Sequence, residues 1–293
     1  MKIRYGLGLG IQQLLAGPES FAEAVDACEA VDLDSLWLSE RVAGPTVDPL
    51  SGLAFAAGRT TRLKLGTSVL VVPGRNPVLL AKELATIDAL SGGRLLPGIG
   101  LGTVDPAEHA AFGVSRGDRS AWFDEAVPLM RRLWTEPSVT HKGARFAVND
   151  LRLFPKPVGP MPLWTGGRTR WEYERTGRLA DGWLGSFQTV VEADSARSAI
   201  AECARNMGRS IDDDHYGMLL IYARDEVPNR IRDLVHTQRP GTSIADLVPS
   251  GSAELRGLLK QYVEVGITKF VLVPSTTPDS WLDEMTWLVD ACA

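Results

Sequence analysis

The chain has 293 residues, 44% of them hydrophobic and 23% charged, enough apolar material for one large core and a length typical of a single α/β barrel. A formal net charge of -5 argues against nucleic acid or an anionic membrane as partner. Cys28, Cys203 and Cys292 lie far apart with no C-x-x-C pair or histidine cluster, which excludes a disulfide framework and a zinc module. No apolar run reaches the ~18 residues of a membrane span, and MKIRYGLGLG lacks the apolar region and cleavage site of a secretory signal, so a cytoplasmic protein is expected.

In chain order the pattern alternates strand and helix. IRYGLGLG reads as a first strand, followed by a helix opened by the capping-box pattern Ser20-Phe21-Ala22-Glu23, with Phe21, Val25 and Cys28 on one face. DSLWLSE is a second strand, and a short helix over 50–59 precedes LKLGTSVLVV, a near-continuous apolar run expected of a parallel strand covered on both faces. Asn76-Pro77 then caps a helix carrying Leu80, Leu84 and Ile87 at helical spacing. RLLPGIGLG is the fourth strand, and Phe123, Val127, Met130 and Trp134 form the stripe of the fourth helix. SVTHKGARFAVNDLRLFPKP reads as a hairpin excursion. The cycle resumes with PLWTGG, helix, GWLGS, helix, YGMLLIYA, a long polar insertion, helix, KFVLVPS and a last helix from Trp281. Eight strand-helix units in one domain, 1–293, favour a (β/α)8 TIM barrel with insertions after strands 4 and 7; an open doubly wound sheet is the alternative that periodicity does not exclude.

The glycine runs raise the question of a dinucleotide. The fingerprint needs a strand, G-x-G-x-x-G and then a helix facing the pyrophosphate. After Gly98 and Gly100 the third glycine is replaced by Thr103, and after Gly6 and Gly8 by Ile11. Both runs read better as strands whose backbone something else approaches closely.

A barrel of this kind carries its chemistry at the C-terminal ends of its strands. That rule selects Ser39, Glu40 and Arg41 after strand two, Ser68 and 69–73 around strand three, 100–103 after strand four and 166–169 after strand five, with Ser186, Tyr222 and Ser275 completing the rim. In WTGGRTRWEYER two glycines leave backbone N–H groups open just before a helix, with Arg168, Thr169 and Arg170 beside them. This is either an anion site at a helix N-terminus or a tight turn with solvated arginines.

Taken together, DSLWLSERV, LGTSVLVVPGRNPVLLAKELATIDALSGGRLLPGIGLG, PLWTGG, RLADGW and YVEVGITKFVL resemble the luciferase-like monooxygenase superfamily of flavin- and deazaflavin-dependent barrels. The resemblance spans most of the chain, from Gly6 to Val273, and RNPVLLAK is most similar to the subgroup that uses coenzyme F420. It implies a non-prolyl cis peptide at Ser68-Val69 backing the tricyclic ring, a strand at Gly100 passing beside that ring, and a cofactor phosphate held by Gly166, Gly167 and Thr169, with Arg168 among the cofactor-binding residues. It makes SGGRL a helix-to-strand turn. Arg75, Arg168 and Arg170 are the cations expected to meet the acidic tail of a deazaflavin. A homodimer acting on a small molecule is expected.

In one place the sequence departs from the family pattern. Many members carry histidine after the second strand, where this chain has Arg41. A guanidinium does not exchange protons near neutral pH but stabilises developing negative charge. Glu40 is the nearest candidate proton carrier, or else one half of a structural ion pair. Glu108, with His109, lies on the loop where relatives place a catalytic or substrate-facing acid. The expected activity is hydride transfer between F420 and a small organic substrate. An FMN-dependent monooxygenase and a catalytically silent cofactor-binding protein are the alternatives.

Overall fold

The computed structural model describes residues 2–10, 18–44 and 46–293. The first half of the chain runs β1 (Arg4–Leu9), α1 (Pro18–Ala30), β2 (Ser35–Leu38), α2 (Pro49–Arg59), β3 (Lys64–Thr67), β4 (Leu70–Val71), α3 (Pro77–Ser91), β5 (Leu95–Leu96) and β6 (Gly98–Gly100). Then come α4 (Pro106–Phe112), α5 (Arg119–Thr135), the antiparallel pair β7 (Val139–Lys142) and β8 (Ala147–Leu151), and β9 (Trp164–Thr165). The last part is α6 (Arg170–Leu179), β10 (Gly182–Ser186), α7 (Val190–Asn206), β11 (Tyr216–Tyr222), α8 (Asn229–Gln238), α9 (Gly251–Glu264), β12 (Lys269–Pro274) and α10 (Trp281–Cys292). Among the described residues no helix is long and apolar enough to cross a membrane.

The main sheet has ten segments in the order β4-β6-β9-β10-β11-β12-β1-β2-β3-β5, all paired in parallel. Its two ends are not free edges. β4 continues β3 beyond Ser68-Val69, and β5 precedes β6 across Pro97, so the ladder closes through two interrupted strands into an eight-stranded barrel. Closure removes the open doubly wound sheet from consideration. The insertions fall where expected: α4 and the β7–β8 hairpin follow the fourth barrel strand, and α8 follows the seventh. Glu125 of α5 ties the hairpin down by accepting from the backbone N–H groups of Arg145 and Phe146 at 3.1 and 3.0 Å.

Local sequence accounts for most helix ends. The Asn76 side chain accepts from the N–H groups of Val78 and Leu79, and Pro77 needs no partner at the first helical position. The same helix ends on left-handed Gly92, and Gly93 N–H returns to Asp88 O at 2.8 Å, which makes SGGRL the expected turn. The first helix differs from expectation. It starts at Pro18, so Ser20 lies inside it rather than capping it, and Ser20 Oγ instead accepts from Trp281 Nε1 of α10 at 3.1 Å.

The glycine runs are explained by the barrel interior. Side chains alternate across a strand, and glycines on inward positions leave room for Trp37 and Trp164, both fully buried. A Cβ on Gly66 would lie 2.3 Å from the Trp37 ring, and one on Gly182 would lie 2.6 Å from the Trp164 ring. A Cβ on Gly8 would lie under 3 Å from the Val271 and Val273 side chains, and one on Gly98 would lie 2.1 Å from Thr67 O. The two indoles meet edge-on at 6.2 Å. Below them Lys269, only 3% exposed, places its ammonium over both rings and 3.0 Å from Asp34, which also takes Lys64 at 3.0 Å. Burial would raise the Asp34 carboxyl, but the two ammonium groups outweigh it and hold it below the usual carboxylate range. Burial lowers the Lys269 ammonium, with Asp34 opposing.

Candidate active site

At the C-terminal ends of the strands two adjoining hollows form one cleft. The first, about 310 Å³, is lined by Ser39, Glu40 and Arg41 just after the second strand, Phe187, and residues of β11, α8 and β12. The second, about 230 Å³, is lined by Gly100, Gly102, Gly166, Gly167 and Glu172. Ser68, Val69, Gly102, Ser186 and Leu219 line both, so the divide runs over the interrupted third strand. The Ser68-Val69 peptide is cis, and Ser39 Oγ donates to Ser68 O at 2.9 Å. A larger hollow of about 830 Å³ lies beside Asp181 and His215, which precede β10 and β11. It is therefore at the N-terminal face, where barrels of this type do not place chemistry.

Glu40 and Arg41 are neighbours with different fates. Glu40 is buried; it accepts from Val71 N–H at 2.6 Å and from the Arg75 guanidinium. Burial raises its carboxyl above the ordinary value, with Val71 N–H and Arg75 opposing. The pairing also commits Arg75, which donates through Nε to Val71 O at 3.1 Å and lies over the Phe112 ring. Arg75 is thus a support for Glu40 rather than a free cation awaiting an acidic cofactor tail. Arg41 lines the cleft half-buried and has no ion-pair partner among the described residues. Glu108 is buried beneath the next loop, where its carboxylate accepts from Val42 and Ala43 N–H at 3.2 and 3.0 Å. It holds the segment that follows Arg41 and does not line the cleft. His109 Nε2 lies 2.7 Å from Thr103 O.

The turn after the fifth strand is built for an anion and holds one of its own. Thr169 caps α6, and Glu172 reaches back in a reciprocal capping box. One carboxylate oxygen, Glu172 Oε2, accepts from Arg168 N–H at 2.8 Å, Thr169 N–H at 2.9 Å and Thr169 Oγ at 2.9 Å. Gly167, at φ 129°, lies so close beneath that a Cβ there would sit 2.4 Å from Glu172 Cβ. Arg168 is exposed, and Arg170 pairs along the helix with Glu174 at 2.8 Å.

Two of the sequence-selected rim residues face elsewhere. Tyr222 points out of the barrel, stacks on Trp287 of α10 and donates to Glu284 at 2.7 Å. Ser275 lines a separate hollow beside α10. Strand alternation explains Tyr222, since Leu219 and Ile221 are the β11 residues that reach the cleft. Several lining residues escaped the sequence reading. Phe187 takes a left-handed backbone, φ 53°, with its carbonyl bonded to Arg239. Leu234 and Gln238 arrive on α8, inside the stretch that reads as polar insertion. The spacing of Ile231, Leu234, Val235 and Gln238 was the available signal for that helix.

A phosphorylated ring cofactor fits these residues on two counts. Three donors already converge on one anionic oxygen, and the glycine-lined hollow beside them has no side chain to fill it, since a Cβ on Gly100 would meet Val69 Cγ2 at 2.6 Å and one on Gly166 would meet Leu184 O at 3.0 Å. A closed parallel barrel with such a cleft over an interrupted third strand defines an enzyme of the luciferase-like class. The chain belongs to the luciferase-like monooxygenase family, whose model matches residues 4–261. It is 28% identical to an F420-dependent glucose-6-phosphate dehydrogenase of Intrasporangium calvum, over 92% of this chain and 93% of that protein. Among solved structures it resembles an F420-dependent secondary alcohol dehydrogenase bound to an F420-acetone adduct, with TM-score 0.82, 20% identity and both chains fully covered. It also resembles the oxygenating constituent of 3,6-diketocamphane monooxygenase from Pseudomonas putida in complex with FMN, with TM-score 0.74 and 15% identity over 93% of this chain and 92% of that one.

Proposed function

We propose that this protein is an F420-dependent oxidoreductase that moves a hydride between the deazaflavin and a small organic substrate. The observation that carries this reading is the continuity of the anion-holding turn with the cleft over Ser68-Val69; the F420-dependent relative, aligned over most of both chains, supports the choice of cofactor. When bound, the deazaflavin supplies a ring carbon that gives or takes the hydride, and the accompanying proton exchanges with solvent. The N–H groups of Arg168 and Thr169, with the Thr169 hydroxyl, would hold the cofactor phosphate in place of Glu172. Gly166 and Gly167 would let it approach, while Ser68, Val69 and Gly100 would face the ring. Arg41, which has no ion-pair partner among the described residues, would stabilise negative charge developing on ring or substrate and moves no proton. Glu40, held by Arg75, would keep Val71 and the loop rigid, and Glu108 would hold the loop that carries Arg41. A single domain over 1–293, a homodimer and a cytoplasmic location complete the proposal. They rest on the sequence reading, and size-exclusion chromatography and cell fractionation test the last two.

Fluorescence titration of the purified protein with F420 and with FMN tests the reading. The expected outcome is micromolar F420 binding that weakens with salt, and much poorer FMN binding. Tighter FMN binding, with oxygen consumed once the flavin is reduced, would replace it with the flavin monooxygenase reading. F420 binding with no hydride transfer to any alcohol or carbonyl compound would favour a silent binding protein.

A further inference from the structure

We propose that the substrate of this cleft is a small, uncharged, largely apolar molecule bearing one polar group, and not a sugar phosphate. The inference rests on the reading of the cleft as a cofactor and substrate site. The substrate side is walled by Phe187, Leu219, Ile221, Leu234 and Val273. This wall is built in. Ile221 and Val273 belong to a buried cluster with Ile231 and Val235 of α8, and Phe187, Leu219 and Leu234 pack against that cluster. Arg239, just past the end of α8, fixes the helix by donating to Phe187 O and pairing with Glu192 at 2.5 Å.

The charge inventory points the same way. Among the described residues, Glu40 and Arg41 are the charged side chains lining this hollow, and Glu40 is already neutralised by Arg75. A phosphate dianion brought against an apolar wall needs more compensation than a single guanidinium supplies. A lone carbonyl or hydroxyl is matched by what is present: the Arg41 guanidinium and the neutral Ser186 and Gln238. The wall therefore separates this chain from a relative whose substrate carries a phosphate.

The test is calorimetric titration of the full-length protein, with and without F420, using cyclohexanone and glucose 6-phosphate as probes, in the wild type and in Leu234→Asp and Leu234→Ser. Expected are salt-independent binding of cyclohexanone with a negative heat-capacity change, weakened by about tenfold or more in Leu234→Asp and less in Leu234→Ser, and no binding of glucose 6-phosphate at the same concentrations. Circular dichroism identifies a variant that has not folded, and the serine variant then carries the comparison. Salt-sensitive binding of glucose 6-phosphate that Arg41→Ala abolishes would overturn the proposal, as would cyclohexanone binding that is absent from the wild type or indifferent to both Leu234 substitutions. The cofactor reading fails separately: a protein that ignores F420 yet binds cyclohexanone through Leu234 loses its cofactor assignment and keeps its substrate class.

Discussion

Replacing Glu172 with alanine isolates the competition at the turn after the fifth strand. Its oxygen Oε2 takes three donors at 2.8, 2.9 and 2.9 Å, the donors proposed for the cofactor phosphate, so binding must first displace it. The carboxylate is half-exposed, so the relevant scale is that of a helix cap, about 1–2 kcal/mol, rather than three fully desolvated ionic hydrogen bonds. At about 1.4 kcal/mol per tenfold in affinity, Glu172→Ala should tighten binding of phosphate-bearing cofactors by about fivefold to thirtyfold. Riboflavin, which has the ring and no phosphate, provides the control. Its affinity should not change. The free variant should melt about 2–4 °C lower for the lost cap, with much of the loss restored by saturating cofactor. Paired titrations with F420, FMN and riboflavin, monitored by fluorescence, decide the matter. Unchanged or weaker affinity for the phosphorylated cofactors, or an equal gain for riboflavin, would refute the competition.

Asp34→Asn should cost about 3 kcal/mol in urea unfolding while leaving cofactor affinity intact, because it strands the Lys269 ammonium beneath two indoles at the face opposite the cleft. The wild-type carboxyl is held low, so its stabilisation is present above the ordinary value of 3.8 and lost as pH falls through the folded value; the asparagine variant should lack that part of the acid limb. Glu40 has the opposite sign. Its folded value is raised, so its contribution is fully present below the ordinary 4.5 and fades as pH rises through the folded value, and Glu40→Gln should flatten that slope in unfolding midpoints measured against pH. Gly66→Ala, which drives a methyl to 2.3 Å from the Trp37 ring, should destabilise by about 1–3 kcal/mol in the same assay.

The barrel was legible because its signals are local and periodic. The Asn76-Pro77 cap, the Gly92-Gly93 turn and the apolar strand runs each dictate an element without reference to the rest of the chain. Partner choice was not legible, since it depends on which strands lie side by side. Arg75 reads as a loop cation until the third strand brings it against Glu40, and Glu108 reads as a free acid until α4 folds under the segment after Arg41. The T-x-x-E pattern of Thr169 and Glu172 was visible, but a capping box and an anion site use the same donors, and residue types alone do not say which occupant is home. Ser20 misled for the complementary reason: its pattern fits a cap, whereas proline two residues earlier and a tryptophan 261 residues later decide its role.

The pairing of large indoles with bare neighbouring backbone has a consequence for how this chain can change over generations. Trp37 on the second strand occupies the volume vacated by Gly66 on the third, and Trp164 on the ninth segment fills the space left by Gly182 on the tenth. Neither member of such a couple can be altered alone without opening a hole or forcing an overlap. Shrinking the indole and enlarging the glycine together conserves the total. Descendants of this sequence are thus expected to exchange bulk across adjacent strands, so that these positions covary as volume pairs even where the chemistry at the rim diverges.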